Sequence, residues 1–434
     1  MDGKDIYVGL DIGTTKICAI IGVKNEYNKL DIVGIGWQGT EGLHKGAVVN
    51  INKTVEAIQK ALAKAEFQSK GFRIGSVNVG IAGMHISSII HNETYILEKE
   101  NEEVTKEDID NMIKNVYKMI LPPNHDILHI MPQEFQVDFV DGIKDPIGVS
   151  ARRLQTDFHV ITSDSVAIRN INKCVLKART GKEQLEINNL LLEPIASSFS
   201  VLNDDEKEAG VVMVDIGGGT TDVAIFKDGI LRRTAVIPFG GNVITSDISD
   251  GVKVLHKVAE KLKINFGTCL PDTVEGVISI PGFTKIEILA KNLALIIRAR
   301  MLEITEYIVG EINESNYADQ INAGVVITGG GALLKGAKEL ISQETKLDVR
   351  IGFPTNHVQR TVSEAVKTPS FSTCVGLVLS SLESINNPLE NLNTYIEPKA
   401  GNKLIKKSRK NLYTKMYQNI KNVLLDNSIS EGDS

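Results

Sequence analysis

Short runs of apolar and β-branched residues, separated by Gly and Asn, open the chain and predict three strands. These runs cover residues 6–11, 16–23 and 30–37, with turns at 13–15 and 25–28. The same succession returns at 211–215, 221–226 and 230–237, with turns at 217–219 and 227–229. In both copies the first turn carries a related phrase, DIGTT at 11–15 and DIGGGTT at 215–221. The chain therefore repeats a supersecondary unit rather than only a short sequence motif.

Two further stretches have a clear hydrophobic pattern. Residues 325–340 predict a buried strand, a triple glycine and an amphipathic helix with Leu333, Leu334, Ala337 and Leu340 on one side. Thr105 begins a capping-box-like sequence, which predicts a helix with Ile109, Met112, Ile113, Val116 and Ile120 on one face. The alternating run at 127–140 follows this helix. Residues 85–160 thus predict a small α+β unit of their own.

The pattern changes near the end of the chain. Residues 386–407 are polar with two prolines, which is typical of a linker, and residues 408–425 predict an amphipathic helix. Its apolar arc contains Leu412, Tyr413, Met416, Tyr417, Ile420, Val423 and Leu424. Lys415 and Lys421 lie on the other arc, Lys410 belongs to a basic cluster that precedes the helix, and residues 426–434 are acidic. Such a helix suits an anionic membrane surface, although amphipathic helices also pack on their own core or in a partner's groove.

Composition narrows the class of protein without deciding it. The 434 residues allow two or more domains, and 42% hydrophobic with 24% charged residues is globular. A net charge of −6 gives no overall reason to bind nucleic acid. Four widely spaced cysteines predict buried, reduced thiols in a cytosolic protein. We expect no signal peptide and no membrane-spanning segment, and we interpret His125 and His129 as loop or strand residues rather than metal ligands.

The repeated turns have the chemistry of a phosphate site. Glycines let backbone N–H groups converge on an anion, threonine hydroxyls add donors, and an Asp before each turn can hold Mg²⁺ through its water shell. Two such hairpins facing each other would hold a triphosphate from both sides. Gly-rich hairpins also recur in β proteins without any ligand, but no P-loop sequence competes for the phosphate. Gly240 and Gly241, ahead of a predicted helix, are further phosphate-side candidates.

The two repeated phrases and the later stretch at 325–340 with the triple glycine, in this order, resemble the phosphate-1, phosphate-2 and adenosine motifs of the actin, Hsp70 and sugar-kinase superfamily. The resemblance implies two α/β domains with mixed five-stranded sheets, hinged around ATP and Mg²⁺. It assigns residues as follows: phosphate 1, Asp11, Gly13, Thr14, Thr15 and Lys16; phosphate 2, Asp215, Gly217, Gly218, Gly219, Thr220 and Thr221; adenosine, Gly329, Gly330 and Gly331. It also implies that Glu193 and Asp215 orient an attacking water, that Asp11 and Asp215 hold hydrated Mg²⁺, and that Glu260 and Lys263 reach the nucleoside. From the residues alone, the favoured interpretation of Glu260 and Lys263 is a solvated helical ion pair.

The α+β unit at 85–160, with the phrases at 145–162 and 238–249, is similar to the FtsA family of actin-like bacterial cell-division proteins. The resemblance implies duplicated actin-like (RNase H-like) domains flanking a nucleotide cleft, with the inserted subdomain and the C-terminal amphipathic helix. The expected divisions are subdomain 1A at 1–84 and 161–200, the insert at 85–160, subdomain 2A at 201–245 and 321–385, and subdomain 2B at 246–320. The linker, helix and acidic tail then cover 386–407, 408–425 and 426–434.

The expected function follows from the same resemblance. It is an ATP-binding, polymerising adaptor that binds the FtsZ C-terminal tail, a second copy of itself, the cytoplasmic face of the cell membrane at the division site, and later division proteins. ATP turnover, where it occurs, is expected to be slow, with ATP mainly an assembly ligand. An FtsA-related cytoplasmic pilus-assembly protein and an ATP-dependent small-molecule kinase are the alternatives, while an Hsp70-like chaperone is disfavoured because too few residues follow the core.

Overall fold

A computed structural model describes residues 6–27, 29–97, 102–179, 184–280, 286–355 and 358–386. All of these belong to one compact unit, Met1–Thr394. The linker, amphipathic helix and acidic tail expected from residue 387 onward, including every proposed membrane residue, lie outside the described residues.

The first lobe is built around a six-stranded sheet. In chain order its opening segment contains β1 (Ile6–Ile12), β2 (Lys16–Lys24), β3 (Leu30–Gly39), β4 (Leu43–His44), β5 (Ala47–Val48), α1 (Ile51–Gln68) and β6 (Ser76–Ile81). The first three strands form the antiparallel meander that the sequence predicts. Helix α1 begins at the side-chain cap of Asn50 and buries Ile58, Ala61 and Leu62 against the sheet.

A small α+β subdomain is inserted after β6. It contains β7 (Ile86–Ile96), β8 (Glu102–Glu103), α2 (Lys106–Val116), β9 (His125–Val137), β10 (Val140–Ile143), β11 (Ser150–Ala151) and β12 (Arg153–Asp164). Strands β10, β9, β12 and β7 form one antiparallel sheet in that order, on which α2 packs around Met112. The capping box at Thr105 is present, but α2 ends at Val116. Ile120 is therefore almost fully exposed, and its predicted place on the apolar face was wrong.

The chain then returns to the first lobe and crosses into the second. The segment that returns to the first lobe contains α3 (Ser165–Ala178), β13 (Glu186–Leu192) and α4 (Glu193–Val201). The second lobe contains α5 (Asp204–Ala209), β14 (Val211–Ile216), β15 (Thr221–Lys227), β16 (Ile230–Ile237), α6 (Gly241–Val252), α7 (His256–Phe266), β17 (Val277–Ile280), β18 (Ile286–Leu289), α8 (Ala290–Glu314), β19 (Val325–Thr328), α9 (Ala337–Thr345) and β20 (Val349–Ile351). Strand β21 (Val358–Thr361) and helix α10 (Ser372–Asn386) end the described chain on the first lobe.

The two sheets have the same topology, which confirms the duplication. The first has the order β13-β6-β1-β2-β3-β21 and the second β20-β19-β14-β15-β16, when read in the same sense. In each, an antiparallel meander is followed by two strands that lie parallel to its first strand. The first sheet has six strands rather than the five expected, because β21 adds in parallel to β3.

Helices α4 and α10 cross between the lobes. Gly376 of α10 lies so close to α4 that a Cβ there would stand 1.7 Å from the Ala196 carbonyl oxygen. Side chains of α4 belong to a core that also contains Met213 and Ala224 of the second sheet. The first turns of both helices therefore reach the space between the sheets.

Candidate functional site

The two repeated hairpins face each other across one cavity. Both turns are closed in the same way, by a hydrogen bond from Gly13 N to Lys16 O (3.1 Å) and from Gly217 N to Thr220 O (2.9 Å). A Cβ at Gly218 would lie 2.3 Å from Thr15 Cγ2, and one at Gly219 would lie 2.5 Å from Thr14 Oγ1. Glycine is thus required where the hairpins meet.

The cavity has a volume of about 450 Å³, a size that suits a small-molecule ligand. Most of the expected site residues line it: Asp11, Gly13, Thr14, Thr15, Lys16, Glu193, Asp215, Gly217, Gly218, Gly219, Thr220, Gly241, Glu260, Lys263, Gly329, Gly330 and Gly331. Thr221 and Gly240 are not among its lining residues. The Thr221 hydroxyl instead donates to Phe239 O (2.9 Å), and Gly240 packs on the carbonyl oxygens of the second hairpin.

Helix α6 begins against the second hairpin. The backbone N–H groups of Gly241 and Asn242 donate to Gly217 O (2.9 Å) and Gly218 O (2.8 Å). These N–H groups fix the hairpin, and they are not free to bind a phosphate directly. Gly240 and Gly241 therefore have a structural role that the sequence does not indicate.

Four carboxyl groups converge at the polar end of the cavity. Burial is the main reason that the pKa of Asp11 rises to about 6 and that of Asp222 to about 8; the charge of Asp215 contributes to both rises, and the charge of Lys16 opposes the rise at Asp11. Burial, followed by the charges of Asp11, Asp222 and Asp215, raises the pKa of Glu193 well above its usual range. Burial also raises the pKa of Asp215, although hydroxyls of Ser197 (2.7 Å) and Thr373 (3.2 Å) donate to its Oδ2.

This cluster has the properties of a cation-binding site. One oxygen of Asp222, Oδ1, is buried without a hydrogen-bond partner. Within the described ranges no three His, Cys, Asp or Glu side chains are arranged to hold a metal ion directly. A hydrated Mg²⁺ held by carboxylates through its water shell fits both observations.

Lys16 directly follows the first hairpin turn in the sequence. Its Nζ donates to Ser370 O and lies 3.7 Å from the centroid of the Phe371 ring. Lys16 therefore connects the first hairpin to the residues that precede α10.

The other end of the cavity is less polar. Leu333, Leu334, Ile264 and Gly267 line it, beside the ion pair of Glu260 and Lys263 (2.7 Å). Gly329 has a φ of +81°, and a Cβ there would stand 2.3 Å from Asp215 Oδ1. The backbone of the triple glycine can thus pack directly on strand β14 of the second hairpin, beside a surface that suits a flat ring.

Sequence reasoning missed Asp222 and Thr373, which both line the cavity. For Asp222 a signal exists: it directly follows the two threonines of the second phrase, and Lys16 follows those of the first. Equivalent positions of the repeat therefore carry opposite charges. Thr373 lies in no motif, and only the crossing of α10 and α4 brings it to Asp215.

The predicted placement of the histidines in a loop or strand and the predicted burial of the cysteines are confirmed. His125 and His129 lie on strand β9, and the four cysteines are free and buried. The helix after the triple glycine was placed too early. Residues 330–333 form a 3₁₀ turn, α9 begins only at Ala337, and Leu333 is half exposed.

Comparisons with known proteins agree with this architecture. The family model described as "Cell division protein FtsA" matches residues 212–376, and that described as "SHS2 domain inserted in FTSA" matches 83–162. The cell division protein FtsA of Neisseria meningitidis is 38% identical, covering 92% of this chain and 96% of that protein. Those of Pseudomonas aeruginosa and Escherichia coli K12 are 39% and 35% identical, each over 88% of this chain and 90% and 91% of their own.

Solved structures share the fold at low identity. The PilM-PilN type IV pilus biogenesis complex has a TM-score of 0.64 at 16% identity, covering 87% of this chain and 98% of its own. MreB5 of Spiroplasma citri bound to ADP has a TM-score of 0.52 at 15% identity, with coverages of 89% and 98%. The expected actin-like fold with an inserted α+β subdomain is thereby confirmed.

Proposed function

Because this chain belongs to the FtsA family of cell-division proteins, we propose that it binds ATP, self-assembles and anchors FtsZ filaments to the inner face of the cytoplasmic membrane. The observation that carries the proposal is the single cavity enclosed by the two glycine-rich hairpins. Family membership favours this role over the pilus-assembly and kinase alternatives.

In this proposal the cavity holds ATP in one orientation. The hairpins at Gly13–Thr15 and Gly217–Thr220 bind the phosphates through backbone N–H and hydroxyl groups. The less polar end at Gly331 and Leu334 takes the adenine, and Glu260 with Lys263 takes the ribose. Asp11 and Asp215 hold the hydrated Mg²⁺, which neutralises charge on the phosphates when bound.

The carboxyl cluster is consistent with slow turnover. Glu193 and Asp215 are the residues we assign to orienting an attacking water. Burial, followed by the charges of three neighbouring carboxyl groups, raises the pKa of Glu193 well above its usual range, so this carboxyl group releases its proton less readily than an exposed glutamate. We assign ATP mainly the role of an assembly ligand that fixes the lobes relative to each other.

The remaining parts of the function rest on the sequence. We assign binding of the FtsZ C-terminal tail to the region 246–320 and attachment to anionic lipid to residues 408–425. In this proposal the protein lies on the cytoplasmic face of the membrane at the division site. Later division proteins and a second copy of the chain are further partners. Among the described residues no helix is both long and apolar enough to cross a bilayer. The acidic overall charge gives no support for nucleic-acid binding.

Separating the hairpins should abolish nucleotide binding. Gly218→Val places a side chain against Thr15, where a Cβ alone would already stand 2.3 Å from a side-chain carbon. We expect ATP affinity to fall at least a hundredfold, and by about tenfold or more in Asp215→Ala, measured by calorimetry with Mg²⁺ present.

The matched control is Gly75→Val, because a Cβ at Gly75 meets nothing within 4 Å and its backbone is not left-handed. This variant should bind ATP like the wild type. Unchanged ATP affinity in Gly218→Val and Asp215→Ala would show that the nucleotide site is elsewhere.

A further inference from the structure

The inserted subdomain contacts the start of the helix that carries Glu193. Strand β13 is an edge strand of the first sheet, so one of its sides has no neighbouring strand. Its last residue, Leu192, is fully buried and is also the N-cap of α4. The Leu192 N–H donates to Nε2 of His129, on strand β9 of the insert, at 3.0 Å.

This hydrogen bond satisfies the backbone N–H of the N-cap residue of α4. No side chain caps the helix at its N-terminus, and Pro194 in its first turn has no N–H to donate. A buried backbone N–H without an acceptor destabilises the fold. His129 therefore supplies the acceptor at the point where β13 ends and α4 begins.

The histidine ring is held in the form that this role requires. Nε2 accepts, so Nδ1 carries the proton, and Nδ1 is buried without a partner. Burial is the main reason that the pKa of His129 falls to about 4, which keeps the ring neutral at physiological pH.

The position of the helix start decides where the Glu193 carboxyl lies. Glu193 is the first residue of α4, and its side chain passes over Gly80 of β6, where a Cβ would stand 3.1 Å from Glu193 Cγ. Glu193 lines the cavity, and its carboxyl group is affected by the charges of Asp11, Asp215 and Asp222, so a shift of its backbone would change its position relative to these groups.

We propose that His129 is a positioning residue through which the inserted subdomain fixes the N-terminus of α4, and with it the Glu193 carboxyl in the nucleotide cavity. The consequence for ATP rests on the function proposed above, whereas the hydrogen bond itself does not. A partner that displaces the insert would thereby change the nucleotide site.

Hydrogen exchange of the full chain without nucleotide tests the bond directly. In His129→Leu, amides of the segment 189–196 should exchange about tenfold faster, because one hydrogen bond is lost. His129→Gln keeps an acceptor at a similar reach and should restore protection. The matched control is His159→Leu, which removes another buried ring of the insert sheet, one bonded to Thr234 Oγ1 instead (3.1 Å), and should leave this segment unchanged.

A double-mutant cycle tests the route to the nucleotide. His129→Leu should weaken Mg-ATP binding several-fold in the wild-type background and have no effect in the Glu193→Gln background, because its action passes through that carboxyl. Additive losses, no loss in either background, or equal exchange in His129→Leu and wild type would each overturn the proposal. If the wild type did not bind ATP, the proposed function would be refuted instead. The hydrogen-exchange result would then still test whether His129 holds the start of α4.

Discussion

Asp222 is the residue whose burial makes the strongest prediction about stability. Its pKa rises to about 8 in the folded chain from its usual value of 3.8, mainly through burial and then through the charge of Asp215. Between about pH 4 and pH 8 the unfolded chain has released this proton while the folded chain keeps it. Because the folded state binds more protons, its stability must fall as the pH rises through that window.

Between pH 7 and 8 the histidines add little to the slope, while the raised pKa of Glu193 acts in the same direction as that of Asp222. The pKa values of His129 and His159 fall to about 4 from 6.5, so these rings favour folding more as the pH rises from 4 to 6.5 and contribute no slope above it. We expect the nucleotide-free protein to lose about 1 kcal/mol of unfolding free energy between pH 7 and 8.

Asp222→Asn should flatten that slope and raise the unfolding free energy at pH 8 by roughly 2–4 kcal/mol, as measured by urea denaturation. The same variant should bind Mg-ATP more weakly, since an amide, unlike a carboxyl group, cannot release a proton to become negatively charged beside a cation. Equal slopes in variant and wild type would contradict the burial of a titrating Asp222 carboxyl.

Single residues differ in how far the sequence predicts them. Asp11 and Thr14 lie within a repeated phrase, whose glycines and hydroxyls indicate anion binding without any knowledge of the fold. Thr373 and Ser197 touch Asp215 only because two helices cross, and neither sequence position marks that crossing. Contacts between distant segments are what one sequence does not contain.

At the scale of elements, the crossing of α4 and α10 controls how the lobes are joined. Gly376→Ala would place its Cβ 1.7 Å from the Ala196 carbonyl oxygen, so the two helices would have to separate. We expect a loss of about 3 kcal/mol or more in unfolding free energy, measured by urea denaturation. ATP affinity should fall as well, because Thr373 would move with α10.

Gly310→Ala in α8 is the control for this substitution. It is also a change within a helix, but a Cβ there meets nothing within 4 Å. Removing a helical glycine should stabilise the protein by about 0.5–1 kcal/mol. If both variants were stabilised alike, the close contact between α4 and α10 would be wrong.

Elements with a local signal were predicted well, and their ends less so. The meander strands β1 to β3 and β14 to β16 follow from β-branched runs between glycine turns, and α2 begins at its capping box as expected. Periodicity alone extended α2 to Ile120 and began α9 at Leu333. Both errors arise because the apolar pattern extends beyond the helix, past the C-terminus of α2 and ahead of the N-terminus of α9.

At the scale of the whole molecule, duplication explains why two distant phrases form one site. Each hairpin connects the first two strands of its own sheet, and the two sheets have equivalent topology. Two copies that face each other place equivalent turns together at their interface. The pairing of the phrases was therefore predictable from the repeat, while the volume of the cavity and the approach of Glu193 to the carboxyl groups of the hairpins depend on the packing of α4.

The proposed adaptor has two separable activities, nucleotide binding in the cavity and membrane attachment through the tail. Deleting 408–434 should abolish co-sedimentation with anionic liposomes, and with it the recruitment of FtsZ to those liposomes, while ATP affinity stays unchanged. Deleting only 426–434 removes acidic residues and should preserve or strengthen binding. Since basic residues contribute to attachment, about 0.5 M salt should weaken it without abolishing the apolar part. Binding that survives removal of 408–434 would mean that another surface contacts the lipid, and the tail would then need a different role, such as packing on the chain's own core.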